Sequence, residues 1–191
     1  MTEREKMLSG QFYCADEPDL NAARHRADLL CCQLNALPMT ETELRKQVLR
    51  QLLGKVGENC TINPQFRCDY GSYIQVGENF FANYNCVILD CAPVTFGDNV
   101  FIAPNCGFYT AGHPLDYPTR NALLEFAKPI TVGDNVWIGG NVVVLPGVTI
   151  GSGAVIGAGS VVSRDIPENV LAVGNPCRPI RSINQKDRRM L

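Results

Sequence analysis

Two histidines, nine cysteines and one tryptophan are the chemically distinctive residues of this 191-residue chain. His113 stands inside FYTAGHPLDYPTR, which runs from Phe108 to Arg120. An imidazole of ordinary pKa, near ~6.5, takes up and returns a proton at neutral pH, so this position offers general-base chemistry. The competing reading is a histidine on a surface loop. His25 falls in an amphipathic helical pattern and reads as solvated or capping. The cysteines stand at 14, 31, 32, 60, 68, 86, 91, 106 and 177. None makes a C-x-x-C pair, and two histidines do not complete a zinc-finger spacing. The thiols therefore read as reduced small hydrophobes, and no metal is expected.

Composition narrows the classes further. A net charge of -2 gives no global basic surface and excludes nucleic acid as the main partner. Hydrophobic residues make up 46% of the chain, enough for one sizeable core. No apolar run approaches the ~20 residues of a membrane helix, so no membrane partner is expected. The start, MTEREKMLSGQ, is charged and lacks the apolar stretch of a signal peptide, which sets a cytoplasmic address as the expectation.

The first third has helical texture. Thr2 and Glu5 have the spacing of a capping box, with Gly10 as a stop. Leu20, Ala23, Ala27, Leu30 and Leu34 keep helical spacing up to Pro38. Thr40 and Glu43 predict a second capping box, followed by the stripe Leu44, Val48, Leu52 and a stop at Gly54. Residues 1–55 thus read as a helical cap without recognisable chemistry.

From Val56 a six-residue period takes over. Val132, Ile138, Val144, Ile150, Ile156 and Val162 are evenly spaced, and glycine follows at 133, 139, 151 and 157. Weaker copies run Val56, Ile62, Cys68, Ile74, then Val76, Ala82, Ile88, Val94, then Phe96, Ile102, Phe108; each change of run skips two residues. Short β-branched stretches alternating with Gly, Asn and Asp turns predict a solenoid. Each hexapeptide makes one side of a triangular coil, and the leading aliphatics stack inward into a continuous core. The hand of the coil does not follow from the period.

The rhythm would place Arg120 on the prism axis, where a charge is costly. Residues 109–129 must therefore leave the wall as a loop, and loops of this length are often functional. The expected organisation is a cap over 1–55, a β-helix over 56–176 with loop 109–129 inserted, and a tail over 177–191.

Several stretches resemble the hexapeptide-repeat sugar O-acetyltransferases, the maltose and galactoside acetyltransferase family. They are GQFYCADEPDL (10–20), FRCDYG (66–71), GENFFANYNCVILD (77–90), GDNVFIAPN (97–105), TAGHP (110–114), KPITVGDNVWIGGNVVVLPGVTIG (128–151) and VGNPCRPIR (173–181). The resemblance covers nearly the whole chain. It implies an all-β left-handed parallel β-helix with an N-terminal helical cap and a protruding loop, a homotrimer with sites between subunits, and acetyl-CoA as donor to a sugar hydroxyl such as that of maltose or glucose.

It also implies roles. His113 is the general base. Asp69 contacts the sugar, and Asn83 sits beside the base and both reacting groups; a turn-stabilising Asx is the alternative for each. The family's acidic sugar ligand near CADEPD is assigned to Asp16, with Glu17 and Asp19 also open. Glu125 borders the acceptor or is solvated. Trp137 lies along the pantetheine channel or is a wall residue. Where the galactoside branch uses a serine hydroxyl for the oxyanion, this chain has Gly140, and a backbone N–H there is the substitute donor. Where that branch has another sugar-binding aspartate, this chain has Cys91. Ala158 and Ser163 line the coenzyme path, and Arg164, Arg178 and Arg181 meet its phosphates, unless the arginines are a solvated basic tail. Two rival readings compete with this one. A zinc hydratase on the same prism needs three histidines and is rejected, because the chain has two and one lies in the cap. A non-catalytic structural β-helix leaves the histidine loop without purpose. Acetyl transfer to a galactoside, a lipo-oligosaccharide or an antibiotic stays open.

Overall fold

In the computed structural model, which describes residues 1–189, the six-residue rhythm becomes the wall of a left-handed parallel β-helix of about six turns. The leading aliphatics pair in register up three sides. Ile62, Ala82, Ile102, Ile138, Ile156 and Ala172 form one stack. Cys68, Ile88, Phe108, Val144 and Val162 form the second. Val56, Val76, Phe96, Val132 and Ile150 form the third, closed by a bridge to Ile166. All but Val56 and Cys68 are buried, so each coil covers the apolar face that its neighbour cannot bury alone.

The corners explain the asparagines. Asn59, Asn79, Asn99 and Asn135 adopt φ between 55° and 58°, a left-handed conformation that costs most L-residues ~1–2 kcal/mol. Their amides form a ladder, with Nδ2 of each donating to Oδ1 of the next at 2.9–3.2 Å. Ladder partners are 20 residues apart in the early coils, and equivalent corner partners are 18 apart later, which accounts for the two-residue skips. Where the loop is inserted, one step spans 36 residues. Coils approach closely after the leading aliphatic: a Cβ on Gly139 would lie 2.6 Å from Ala158 N.

The cap comprises α1 (Glu3–Leu8), α2 (Pro18–Ala36) and α3 (Thr42–Leu52). The Thr2–Glu5 capping box forms, and Gly10 follows the helix at φ 74°. The box expected at Thr40 and Glu43 does not. A turn after Pro38, closed by Glu41 N–H to Pro38 O, takes up Thr40, so α3 starts later with Glu41 at its N-cap and no side-chain cap. The stripe shifts accordingly: Val48, Leu49 and Leu52 are buried, but Leu44 is exposed. Buried Arg45 ties cap to wall by donating to the carbonyls of Leu34, Leu37 and Ile62 at 2.6–2.9 Å. Ala27, Cys31 and Leu34 belong to the same core as the wall stacks.

The excursion leaves the wall after Thr110. Its hydroxyl donates to Leu89 O at 2.6 Å and accepts from Ala92 N, while Lys128 N–H returns to Thr110 O at 2.9 Å. Arg120 sits in the short helix α4 (Tyr117–Asn121), exposed and away from the axis. The segment is built rather than loose: Ala111–Gly112, Leu124–Ala127 and the cap's Tyr13–Cys14 make a three-stranded antiparallel sheet. At the other end, Arg178–Ser182 folds back antiparallel onto Val170–Val173. Among the described residues all nine cysteines are free, no group of three potential metal ligands occurs, and no helix is long and apolar enough to cross a membrane.

Candidate active site

Cap, loop and wall meet around an open pocket of about 520 Å³ that contains Arg24, Asp69, Cys91, Tyr109, His113 and Glu125. The small sheet sets the positions. Gly112 pairs with Phe126, and a Cβ there would lie 2.6 Å from the tip of that ring, so a side chain at 112 would push against the ring beside the next residue, His113. The imidazole is 56% exposed, and its Nε2 lies 3.9 Å from Glu125 Oε1. Tyr13, fully buried and directly opposite Glu125 in the pairing, donates its hydroxyl to Oε2 at 2.9 Å. One carboxylate oxygen is thus held by the cap while the other faces the histidine.

Asp69 enters from the wall. Its backbone N–H, with those of Tyr70 and Tyr73, donates to the fully buried carboxylate of Asp90 at 2.8–3.2 Å. Burial raises Asp90 to about 6 against the pull of its N–H donors. Burial also raises the Asp69 carboxyl, opposed by a hydrogen bond from Cys91 Sγ at 3.3 Å and by the charge of Arg24. The pocket floor is therefore a semi-buried acid and a thiol.

Arg24 is the residue that sequence reasoning missed. It donates to Tyr70 Oη and Ala15 O, both at 2.7 Å, and to Asn21 Oδ1, and lies over the Tyr70 ring at 5.8 Å. The signal was present: Arg24 follows Leu20 by one helical turn and precedes Ala27 on the stripe that α2 buries. Tyr13 was passed over because a strand of two residues has no visible period. Of the acidic residues near CADEPD, none lines the pocket, although Ala15 does. Asp16 is exposed and accepts from Asn21 at 2.8 Å. Glu17 caps α2, and Asp19 lies 3.8 Å from Arg4.

The remaining expected site residues lie elsewhere on the prism. Asn83 ends a strand of the first stack, where its Oδ1 accepts from Tyr84 N at 2.8 Å and Asn63 Nδ2 at 3.3 Å. Trp137 faces outward on the same side, 56% exposed and in register with Phe101. Gly140 follows, where a Cβ would meet only Pro104 O at 3.4 Å. Ala158, Ser163 and Arg164 are exposed. Arg178 donates to Cys177 O at 2.7 Å, whereas both terminal nitrogens of Arg181 are held by Asp187 at 2.7 and 2.9 Å. Within one chain the strands of the second stack, from which the histidine loop departs, separate Asn83, Trp137, Gly140 and Ala158 from the His113 pocket, whereas Ser163 and Arg164 follow the last strand of that stack on the edge where the loop leaves.

Residues 6–57 match the family described as "Maltose acetyltransferase hexapeptide capping motif", and residues 129–164 match "Bacterial transferase hexapeptide (six repeats)". The galactoside O-acetyltransferase of Escherichia coli K12 is 43% identical over 188 residues, covering 98% of this chain and 93% of that protein. The crystal structure of a maltose O-acetyltransferase from Clostridium difficile 630 superposes with a TM-score of 0.95 at 51% identity, covering 97% of this chain and 99% of that one. A galactoside acetyltransferase in complex with coenzyme A also gives 0.95, at 43% identity, covering 98% and 94%. Cap, repeats and pocket-bearing loop are thus shared over nearly the full length, and the chain belongs to the maltose and galactoside acetyltransferase family of hexapeptide-repeat acetyltransferases.

Proposed function

We propose that the protein transfers the acetyl group of acetyl-CoA directly to a hydroxyl of a sugar such as maltose or glucose, with His113 as general base. The observation that carries this reading is the pairing of an exposed imidazole with a fixed carboxylate, 3.9 Å apart, in an open polar pocket. That gap is too long for a direct hydrogen bond. It suits two hydroxyls on adjacent ring carbons: the reacting one donates to His113 Nε2, and its neighbour donates to Glu125 Oε1. Asp69 and Arg24 remain for further hydroxyls, since a site built to hydrogen-bond a polar acceptor discriminates against analogues lacking it.

The donor supplies an acetyl thioester. Exposed Trp137, Ala158 and Ser163, with half-buried Gly140, offer a surface for its pantetheine, and Arg164 and Arg178 supply charge for phosphates. Arg181 is engaged by Asp187 and contributes less. The backbone N–H near Gly140 is the donor for charge developing on the carbonyl oxygen, preorganised because coil stacking fixes the turn. Asn83 sits at the start of this surface. Because Trp137, Gly140 and Ala158 lie on a different side of one chain from the His113 pocket, the complete site is assembled between subunits of a homotrimer, with the loop of one chain facing the wall of the next. The exposed apolar pair Phe101 and Trp137, at 47% and 56%, supports a covered wall.

An acetylated Cys91 is the competing route, since its thiol is in the pocket. Burial and the neighbouring Asp69 carboxylate push that thiol up, so little thiolate is available. Direct transfer is favoured, and Cys91→Ala retains turnover. The test is thiol release from acetyl-CoA with maltose, glucose, a galactoside or chloramphenicol as acceptor, against a protein-only blank because the chain's own nine cysteines react with thiol reagents. Turnover with a sugar and its loss in His113→Ala are expected; no turnover on any hydroxyl acceptor, or an unimpaired variant, defeats the reading.

A further inference from the structure

Cys31 and Cys68 face each other across the seam between cap and wall. Their Sγ atoms are 3.6 Å apart, although they stand 37 positions apart in the chain. Cys31 is on the buried face of α2, and Cys68 is the least buried member of its wall stack. Arg67 crosses the same seam, donating to Asp28 Oδ1 at 2.8 Å and to Cys32 Sγ at 3.5 Å. We infer that Cys31 and Cys68 are a modification site, a dithiol that hydrogen peroxide oxidises to a disulfide stapling α2 to the β-helix.

The geometry supports this in three ways. A closure of roughly 1.5 Å brings the sulfurs to the ~2.05 Å of a disulfide, and it joins a helix to a strand already packed against it. The hydrogen bond from Cys68 favours the Cys31 thiolate, as does the Arg67 charge nearby. Two other buried thiols are engaged elsewhere: Cys106 donates to Gly139 O at 3.1 Å and Cys91 to Asp69.

The chemistry balances. One thiolate attacks a peroxide oxygen, the O–O bond breaks, and the departing hydroxide takes a proton to give water and a sulfenic acid. The Cys68 thiol, held up by its hydrogen bond to Cys31 and by burial, then attacks that sulfur; the S–O bond breaks, and the departing hydroxide takes the Cys68 proton to leave as a second water. Two thiols are oxidised by two electrons, and one peroxide is reduced to two waters. The staple lies beside the acceptor pocket, because Asp69 follows Cys68 and α2 carries Arg24.

The experiment treats the reduced full-length protein with hydrogen peroxide, removes the peroxide, blocks free thiols with N-ethylmaleimide and maps peptides by mass spectrometry without reduction. A cross-link joining the Cys31–Cys32 peptide to the Cys68 peptide, short of two hydrogens, is expected. It persists in Cys32→Ser and is absent in Cys31→Ala. Oxidation also raises the unfolding midpoint by roughly 5–10 °C, reversed by dithiothreitol, because a closed loop of this length restricts the unfolded chain. Alkylation of both Cys31 and Cys68 after peroxide, or a cross-link lost in Cys32→Ser, overturns the inference. The wild-type and Cys32→Ser maps decide it even if Cys31→Ala folds poorly.

Discussion

Tyr13→Phe isolates the contribution of the cap to the acceptor pocket. The substitution removes one oxygen and leaves the ring in its cluster with Met7, Leu20 and Tyr70, so no methyl-sized cavity opens. What is lost is a 2.9 Å hydrogen bond to a carboxylate, an interaction worth about 1.5–3 kcal/mol. Glu125 is 22% exposed, so water replaces part of it, and a net loss of about 1 kcal/mol, or roughly 2–4 °C in unfolding midpoint, is expected. The functional effect is larger in kind. Without Tyr13 the carboxylate swings away from the neighbour of the reacting hydroxyl, and the acceptor KM rises roughly tenfold, equivalent to about 1.4 kcal/mol. The KM for acetyl-CoA stays the same. Steady-state kinetics with each substrate varied in turn, repeated in a Glu125→Ala background, provide the assay. If the acceptor KM does not move, or moves equally when Glu125 is already absent, then Tyr13 does not act through Glu125 and the argument fails.

His113→Ala lowers kcat by roughly 10²–10⁴-fold, the contribution of a general base, and leaves the unfolding midpoint in place because the ring is 56% exposed. Asp90 makes stability fall as pH rises. Its folded pKa of about 6 exceeds the unfolded value of ~3.9, so the folded state holds the proton more tightly; the stabilisation is full below ~3.9, fades as pH climbs through 6, and amounts to about 3 kcal/mol. Urea midpoints at pH 4 and 7 therefore favour Asp90→Asn over wild type progressively with pH, whereas parallel profiles would refute the assignment. Asn79→Ala places a Cβ-bearing residue without an amide at φ 55° and breaks the ladder to Asn59 and Asn99; it costs roughly 2 kcal/mol by thermal unfolding, and Asn79→Gly costs about 1 kcal/mol less.

Much of the pocket was readable one residue at a time. His113 was marked by the broken period, and Asp69 by its place directly after an inward position. Arg24 and Tyr13 were not, although both lie against residues that were. Arg24 sits among apolar neighbours on a helix stripe, and its partners Tyr70 and Ala15 are known only once α2 is docked. Tyr13 meets Glu125 across 112 residues of chain, through a pairing two residues long. For the acidic residues near CADEPD the family resemblance implies acceptor contact, and within this chain they meet local partners: Asn21, the α2 N-terminus and Arg4.

The sequence by itself determined the prism. A six-residue period leaves each coil with an apolar face that only the next coil can cover, so stacking, corner chemistry and the expulsion of Arg120 follow from spacing alone. It also singled out His113, which stands where so regular a wall breaks; the role of base is what the family resemblance implies. The tertiary structure alone decided what surrounds that histidine. The cap reaches over the wall and adds a strand to the loop, which aligns Tyr13, Glu125 and His113, lowers Arg24 onto Tyr70 and sets Cys31 against Cys68. These contacts join residues far apart in the chain through docking of elements with no shared period, and geometry of that kind is fixed only when the core closes.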